Sequence, residues 1–361
     1  MIAYTVGQFI SGASGDRFGS KLMLLIGMMG SIIANAMMGF SNTFLSFCIL
    51  MGLNGLFQST GWSNNIGIMG RWLKPDERGK VMGFWATNFQ IGGATALPLA
   101  AYLGHKFGIQ WAFFGGSTVL LFVWTYFLFN AKDCPTDVGL EEFSADHDLS
   151  EEEKKDVDKK ADWDKKSVEN VLTIGAFYFF LKFIRYALWS WAPYMLSKYY
   201  HMQSDEAGYI STIFDISGAL GVLTCGWLGD KYGKRNLVSL IYLLMMIVSC
   251  FSLFFFGASS ISFFALCMGM IGFTLYGPDA IMTSAGAIDA GSARRAALSA
   301  GIINGIGSCG AIAQELILGR ALKQDGGVST VFAILLVSSV CSALFLGILV
   351  LRNRSKPLAT T

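Results

Sequence analysis

Long apolar runs separated by short polar stretches fill almost the whole chain. A helix needs about 20 residues to cross the ~30 Å hydrocarbon core of a bilayer. Runs of this length occupy residues 22–40, 44–70, 81–103, 110–131, 171–196, 207–228, 237–257, 261–288, 298–323 and 330–351. A further apolar run, residues 1–14, is shorter. The pattern predicts an all-α protein with eleven membrane segments.

One charged stretch, residues 132–170, interrupts this pattern. Its residues are almost all charged or polar, so it is expected to lie in water as a linker. The prediction is an amino-terminal membrane half at 1–131, the linker at 132–170, and a carboxy-terminal half with a short tail at 171–361.

A short polar motif appears once in each half. GASGDRFGSK begins at Gly12 and returns as GWLGDKYGKR from Gly226. Each copy lies between two apolar segments, which predicts two structurally related halves. A carboxylate beside a helix end and a basic neighbour can pair in one conformation and separate in another. The motif residues expected to form such conformational latches are Asp16, Arg17, Asp230 and Lys231.

Composition and charge support a membrane protein. Hydrophobic residues make up 53% of the chain, charged residues only 14%, and the mean hydropathy is +0.50, whereas soluble domains carry about 25% charged residues. The net charge of +2 gives no indication of a nucleic-acid partner. When the predicted loops are threaded alternately, one side receives most of the Lys and Arg, and the other only Lys106, Lys198 and Lys323. The basic side, with the linker and the carboxy terminus, is expected to be cytoplasmic.

Ionisable residues inside predicted spans indicate a functional site. On the segment 171–196, Tyr178, Lys182, Arg185 and Trp189 share one helical face. The guanidinium of Arg185 needs an anion and presents a fork that suits phosphate. Two interpretations stay open. Arg185 contacts substrate, which we favour, or it pairs permanently with Asp215, Asp279 or Glu315.

Asp279 directly follows Gly277 and Pro278, and a Gly-Pro pair in a spanning helix predicts a bend or break beside the site. Asp279 is interpreted either as a proton- or substrate-coupling carboxylate or as the counter-ion of Lys182 or Arg185. The cysteines show no metal-ligand spacing, and the chain contains no nucleotide-binding loop motif and no nucleophile–base pair at useful spacing. We therefore expect no metal, no cofactor and no enzymatic activity.

Several motifs together resemble the organophosphate:phosphate antiporter family of the major facilitator superfamily. The resemblance spans nearly the whole chain. Its motifs are GDRFGSK, NGLFQSTGW, MGRWLKPDERGKVMGFW, IRYALWSWAPYML, GDKYGKR and LYGPDAI. It implies a fold of two six-helix halves, here with the first helix missing and the first remaining segment cut short. The matched motifs add Gln58, Trp62 and Tyr276 to the candidate substrate contacts.

The resemblance also implies a role for Arg185. The family holds phosphate with two cavity arginines, and the second-half arginine, in an R-Y context, matches Arg185. The other lies on the first helix. Where glycerol-3-phosphate transporters of bacteria carry a basic residue and a histidine, this chain has Gln8 and Phe89. Residues 7–12 are closer to the sugar-phosphate exchangers.

These observations lead to one favoured function and two alternatives. The favoured function is exchange of an organic phosphate for inorganic phosphate by alternating access, in a monomer embedded in a bilayer. The alternatives are a membrane sugar-phosphate sensor and a proton-coupled symporter of another small solute.

The short length of the first apolar run leads to a separate expectation. About 14 apolar residues give roughly 21 Å of helix, which is short of the hydrocarbon core. We expect further upstream residues that form a first helix with an arginine facing the substrate.

Overall fold

The structure is a computed structural model that describes residues 1–74, 77–140, 164–292, 295–323 and 327–353. The central part of the predicted linker and the carboxy-terminal tail lie outside these ranges. Throughout the described residues the regular structure is helical. This confirms the all-α prediction and follows from the sequence, because a helix satisfies every backbone polar group inside a membrane.

Fourteen α-helices are numbered here in chain order within the described residues. They are α1 Ile2–Phe18, α2 Ser20–Gly39, α3 Phe44–Gln58, α4 Thr60–Trp72, α5 Arg78–Ala86, α6 Asn88–Phe107, α7 Ile109–Asn130, α8 Lys165–Tyr199, α9 Ser204–Lys231, α10 Arg235–Phe256, α11 Ile261–Thr283, α12 Ala285–Gly291, α13 Ala296–Ala321 and α14 Gly327–Asn353. Two short 3₁₀ turns accompany them, at Pro135–Val138 and Gly257–Ser259.

Nine stretches among the described residues are long and apolar enough to cross a membrane. They correspond to all the predicted segments except 1–14 and 81–103. The first of these is α1, which has 17 residues. The second is divided at Thr87 into α5 and α6. The protein is therefore an integral membrane protein with many spans.

The interruption of the helix that carries Gly277 and Pro278 lies after this pair and not at it. Helix α11 runs through Pro278 and ends at Thr283. The backbone leaves helical geometry at Ser284, with φ −115° and ψ −90°, before α12 begins. Pro278 removes one backbone N–H, but the neighbouring turns keep the helix continuous, so the break occurs one to two turns later.

The described residues group into two compact units that do not follow chain order. The first comprises Met1–Pro75, Asn88–Val171 and Ala287–Gly305. The second comprises Asp76–Thr87, Leu172–Gly286 and Ile306–Thr361. Each unit therefore includes one segment that is distant in sequence from the rest of it.

In the first unit, the beginning of the linker is fixed to the membrane helices. Asp133 Oδ1 accepts a 2.7 Å hydrogen bond from the backbone N–H of Lys21, in the first turn of α2. Trp72 Nε1 donates to the carbonyl of Lys132 over 3.3 Å. A carboxylate at this place satisfies a helix N–H that has no partner within the helix.

In the second unit, glycines bring α9 and α11 into backbone contact. A Cβ atom added to Gly221 would overlap the carbonyl of Phe273, and one added to Gly272 would overlap the carbonyl of Phe214. Small residues at such crossings let membrane helices approach closely and gain van der Waals contact. This packing sets the register of the polar side chains that the two helices carry.

Candidate functional site

The polar stripe of α8 is mostly buried inside the second unit. Tyr178 and Lys182 are each 4% exposed, and Arg185 follows one turn later, with its side chain 13% exposed. Trp189 lies at the end of the stripe and is exposed. Its ring makes an edge contact with Tyr186, with 6.1 Å between the centroids. The predicted face therefore exists, and its first three members lie in the protein interior.

Arg185 makes an ion pair with Asp279 on α11. Arg185 Nη1 lies 2.6 Å from Asp279 Oδ2, and the Asp279 side chain is only 6% exposed. The guanidinium carbon also lies 4.6 Å from the ring centroid of Tyr276, in a cation–π arrangement. Of the three carboxylates that the sequence offered to Arg185, Asp279 is the one paired with it in the described residues.

Asp215 on α9 is joined to this group through Tyr276. The Tyr276 hydroxyl donates a 2.5 Å hydrogen bond to Asp215 Oδ1. One face of the Tyr276 ring is covered by the Arg185 guanidinium, and Phe214 packs 5.2 Å from it, centroid to centroid. Tyr276 thus lies between a cation and a second carboxylate.

Lys182 is held by a hydroxyl and two rings. Its Nζ donates a 2.9 Å hydrogen bond to Ser308 Oγ on α13. The same atom lies 5.2 Å from the Tyr178 ring centroid and 5.8 Å from that of Tyr186. Aromatic faces and a hydroxyl allow an ammonium group to be buried, because they partly replace its lost hydration.

We call these residues the α8 cluster: Tyr178, Lys182, Arg185, Tyr186, Asp215, Tyr276, Asp279 and Ser308. It holds two cations and two carboxylates, so its formal charge is zero when all four are ionised. A planar guanidinium that already holds one carboxylate has the geometry to hold another oxyanion. The chemistry available is anion recognition with hydroxyl and aromatic support.

Two members of this cluster were not anticipated. Tyr186 follows Arg185 directly and points to the same group of side chains as Lys182. Ser308 lies one helical turn after the buried Asn304 in an otherwise apolar segment, and this i, i+4 pair of polar residues was the available signal.

The remaining candidates lie elsewhere. Gln58 ends α3 and is exposed, and Trp62, in the first turn of α4, is partly exposed. Both belong to the first unit. Glu315 on α13 is exposed and accepts a 2.8 Å hydrogen bond from Gln314.

The first unit has a polar cluster without charged groups. Ser11 and Ser63 hydroxyls lie 3.1 Å apart, and Asn64 Nδ2 donates to Ser11 Oγ over 2.8 Å. Gln8, one turn before Ser11, is completely buried, and its amide makes no hydrogen bond within the described residues.

The first copy of the loop motif places its carboxylate at the start of α13. Asp16 Oδ2 accepts a 3.1 Å hydrogen bond from the backbone N–H of Leu298, in the first turn of α13. Gly12 permits the approach, since a Cβ there would lie 2.6 Å from the carbonyl of Ala297. A helix N-terminus favours an anion through its N–H groups and its dipole.

Burial nevertheless disfavours the charge on Asp16, which lies beyond the predicted apolar segment and outside the candidate spans. Burial raises its pKa from 3.8 to about 6, although the Leu298 and Ala297 N–H groups and the charge of Arg71 oppose this change.

The carboxylate of the second copy also lies at the start of a helix, inside the second unit. Asp230 lies against the start of α5, where a Cβ on Gly79 would overlap its Oδ1. The same oxygen accepts a 3.1 Å hydrogen bond from Arg235 Nε. Gly226 corresponds to Gly12, and a Cβ there would lie 3.3 Å from the Gly79 carbonyl.

The repeated motif therefore has a structural reason at its first glycine, its aspartate and its last glycine. Its last glycine adopts a positive φ in both copies, 95° at Gly19 and 60° at Gly233, which an L-residue with a side chain rarely does. The basic residues turn away from the carboxylates: Arg17 lies over the ring of Phe18, and Lys231 over that of Trp227.

Comparison with known proteins finds relatives of two kinds, putative glycerol-3-phosphate transporters and sugar phosphate exchangers. The Arabidopsis thaliana putative glycerol-3-phosphate transporter 1 is 26% identical over 392 residues, covering 99% of this chain and 75% of its own length. Putative glycerol-3-phosphate transporter 5 of the same plant is 29% identical, with 95% and 77% covered. Sugar phosphate exchanger 3 of Gallus gallus is 28% identical, with 98% and 78% covered.

Solved structures agree on the fold. The human organic anion transporter MFSD10 matches with a TM-score of 0.74 at 17% identity, covering 95% of this chain and 82% of that one. The proton:xylose symporter XylE matches with a TM-score of 0.74 at 15% identity, covering 97% and 84%. The family model of the Major Facilitator Superfamily matches twice, at residues 1–170 and 171–361. Since these two matches cover both halves, the chain belongs to the major facilitator superfamily.

Proposed function

We propose that the protein is a secondary transporter that moves an organic phosphate, a sugar phosphate or glycerol phosphate, in exchange for inorganic phosphate by alternating access. The observation that carries this proposal is the buried Arg185 guanidinium, already engaged by an oxyanion, Asp279. It is supported by relatives whose names describe glycerol-3-phosphate transporters and a sugar phosphate exchanger.

Arg185 is proposed to bind the phosphate group of the substrate. Lys182, one turn earlier on α8, supplies a second cation, Tyr178 supplies hydroxyl and aromatic contacts, and Tyr276 supplies an aromatic contact. Trp189 continues the same face of α8. From the first unit, Gln58 and Trp62 remain proposed contacts to the organic part of the substrate.

Asp16 and Asp230 are assigned the role of latches that hold this conformation. Each lies at the amino end of a helix that is distant in the chain, α13 or α5. Arg17 and Lys231 belong to the same motif and contact neighbouring rings in this conformation. Breaking such a contact costs about 1.5–3 kcal/mol for a hydrogen bond to a charged group, so neutral variants should change turnover more than substrate binding.

The proposed orientation places the linker, both motif loops and the carboxy terminus in the cytoplasm, in a monomer. The reason is the concentration of Lys and Arg in the loops of that side.

Uptake into proteoliposomes tests the transport function. Vesicles containing the purified chain and preloaded with phosphate should accumulate labelled glycerol 3-phosphate or glucose 6-phosphate, and vesicles without internal phosphate should accumulate much less. Binding of these compounds without any uptake would instead assign the protein to sugar-phosphate sensing. The absence of both binding and uptake would refute the proposal.

Arg185 variants test the site. Arg185→Lys keeps the charge but loses the planar fork, and Arg185→Ala loses both. The affinity for phosphate should therefore fall. A loss of about 2 kcal/mol corresponds to a factor of roughly 30, and a loss of about 5 kcal/mol to a factor of several thousand. Because Arg185→Ala leaves Asp279 buried without its partner, the neutral double variant Arg185→Ala, Asp279→Ala serves as the folding control. Arg320→Ala, on an exposed side chain of α13, is the matched control. Unchanged exchange in Arg185→Ala would contradict the assignment.

A further inference from the structure

The α8 cluster already places an anion at its arginine. Asp279 Oδ2 lies 2.6 Å from Arg185 Nη1, in the position that a phosphate oxygen would take on the same guanidinium. Building on the proposed function, we propose that Asp279 is a proton-binding site, and that each phosphate dianion bound at Arg185 is accompanied by one proton taken up by Asp279.

Asp279 and an incoming phosphate compete for the same guanidinium. Arg185 is mostly buried and Asp279 is 4% exposed, so neither side chain can turn to water while the surrounding helices stay packed. An incoming phosphate that binds the guanidinium bidentately competes for the Nη1 group that now serves the carboxylate. Asp279 would then be left as a buried carboxylate whose strongest partner has been taken.

The total charge of the α8 cluster also changes when a phosphate dianion binds. Lys182 and Arg185 balance Asp215 and Asp279 when all four are ionised, so the formal charge of the cluster is then zero. A phosphate monoester has a second pKa of about 6 and carries two negative charges at pH 8. Adding them to a neutral, buried cluster is costly, because an uncompensated charge in a low-dielectric interior is strongly disfavoured. One proton removes half of the excess negative charge.

Of the two carboxylates in the α8 cluster, Asp279 is the one that receives the proton. Asp279 faces Tyr178, Lys182, Arg185 and Tyr186 of α8, and it receives a side-chain hydrogen bond from Tyr178. On its own helix the nearest titratable neighbour is Tyr276, one turn earlier.

Asp215, on α9, differs because its hydrogen bond does not involve the guanidinium that phosphate would occupy. It keeps the hydroxyl of Tyr276 as its donor, at 2.5 Å, whether or not Arg185 is occupied. Helix α13 contributes Ser308, which is neutral and bonded to Lys182. Asp279 is therefore the group whose environment changes when phosphate binds.

The consequence is a coupling between phosphate and protons. In an exchange of two phosphates, each would carry its own proton, and the exchange would be insensitive to a pH difference. Net movement of a phosphate would transfer a proton in the same direction, so a pH gradient would drive it.

Calorimetric titration measures the proton directly. The purified full chain is titrated with glycerol 3-phosphate at pH 8 in two buffers of different ionisation enthalpy. The difference between the observed binding enthalpies gives the number of protons taken up from the buffer. We expect about one proton per bound ligand and, by linkage, a dissociation constant that rises about tenfold for each pH unit in this range. Binding without proton uptake, or independent of pH, would overturn the proposal, and this measurement needs no variant.

Variants locate the proton. Asp279→Asn should bind glycerol 3-phosphate at pH 8 more tightly than the unaltered chain, without proton uptake and without dependence on pH. Glu315→Gln, which removes an exposed carboxylate on α13, should keep the uptake of the unaltered chain. Proton uptake that survives in a folded Asp279→Asn protein, or loss of ligand binding in that protein, would refute the assignment to Asp279.

The same titrations separate this proposal from the function on which it rests. If neither glycerol 3-phosphate nor inorganic phosphate binds the unaltered chain, the proposed function fails, and with it the proton site. If they bind and exchange but bring no proton, the transport function stands and only the role of Asp279 is wrong.

Discussion

Acidification should strengthen the contact between α1 and α13, and Asp16 gives the reason. Its carboxylate lies at the start of α13, where burial raises its pKa to about 6. Once the two helices separate, Asp16 enters water and its pKa returns to the ordinary value of 3.8. The packed arrangement therefore binds a proton more tightly than the separated one.

The size of the effect follows from these two values. Because the pKa is raised in the packed state, the stabilisation by protonation is fully present below pH 3.8 and is lost as the pH rises through 6. Between pH 7 and pH 5, the packed state should gain about 1.3 kcal/mol, or about ninefold in the equilibrium constant. Above pH 7 no further change is expected from this group.

Thermal unfolding of the purified chain at pH 7 and pH 5 can measure this gain. We expect the difference between the unaltered chain and Asp16→Asn to change by about 2–3 °C between the two pH values. The amide keeps an oxygen that can accept from Leu298 but cannot titrate. Asp137→Asn is the control. Cys134 lowers the pKa of this exposed linker carboxylate, so Asp137 stays ionised from pH 5 to pH 7 in both the packed and the separated arrangement. An identical pH dependence in the unaltered chain and Asp16→Asn would refute the reasoning, as would a change of opposite sign.

Three further predictions concern packing and helix ends. Gly301→Ala should destabilise the protein by about 1–3 kcal/mol, because its Cβ would lie 2.6 Å from the Gln8 carbonyl, whereas Gly347→Ala, with nothing within 4 Å, should be neutral or slightly stabilising in thermal unfolding. Arg235→Gln removes the ion-pair partner of Asp230 and should lower turnover in vesicles while phosphate affinity stays within a few-fold; a large loss of affinity would contradict the latch role. Asp133→Ala removes the acceptor for the first turn of α2 and should cost about 0.5–2 kcal/mol in unfolding free energy, measured against Asp133→Asn.

The number and order of the membrane segments could be predicted from the sequence because length and apolarity decide whether a helix can cross a bilayer. Interruptions within a segment could not. The helix ends at Ser59 and Thr87 depend on hydroxyls that bond back to the carbonyls of Leu56 and Phe84. Serine and threonine make the same bonds in many unbroken helices, so their presence alone does not mark a boundary. The position of the break near Pro278 could not be predicted either, since α11 continues through the proline and ends at Thr283.

The repeated motif was predictable as a pair of loops, but the helices that receive its carboxylates were not. Asp16 contacts the start of α13 at Leu298, and Asp230 contacts the start of α5 at Gly79. Basic residues lie near both targets, Arg295 before α13 and Arg78 in α5, but basic residues also lie in other loops of the chain, so they do not identify the partner. The partner is set by where glycines allow two backbones to meet, and this depends on helices far apart in the chain.

The pairing of Arg185 shows the same limit at the candidate site. Asp215, Asp279 and Glu315 were all possible partners, since spacing along α8 fixes the face of Arg185 but not the height of carboxylates on other helices. The close crossing of α9 and α11 decides between the first two. It places the Tyr276 ring 4.6 Å from the guanidinium and its hydroxyl on Asp215, so Asp215 is occupied by a neutral donor and Asp279 meets the cation directly. The glycines that permit this crossing therefore determine which carboxylate lies on the Arg185 guanidinium.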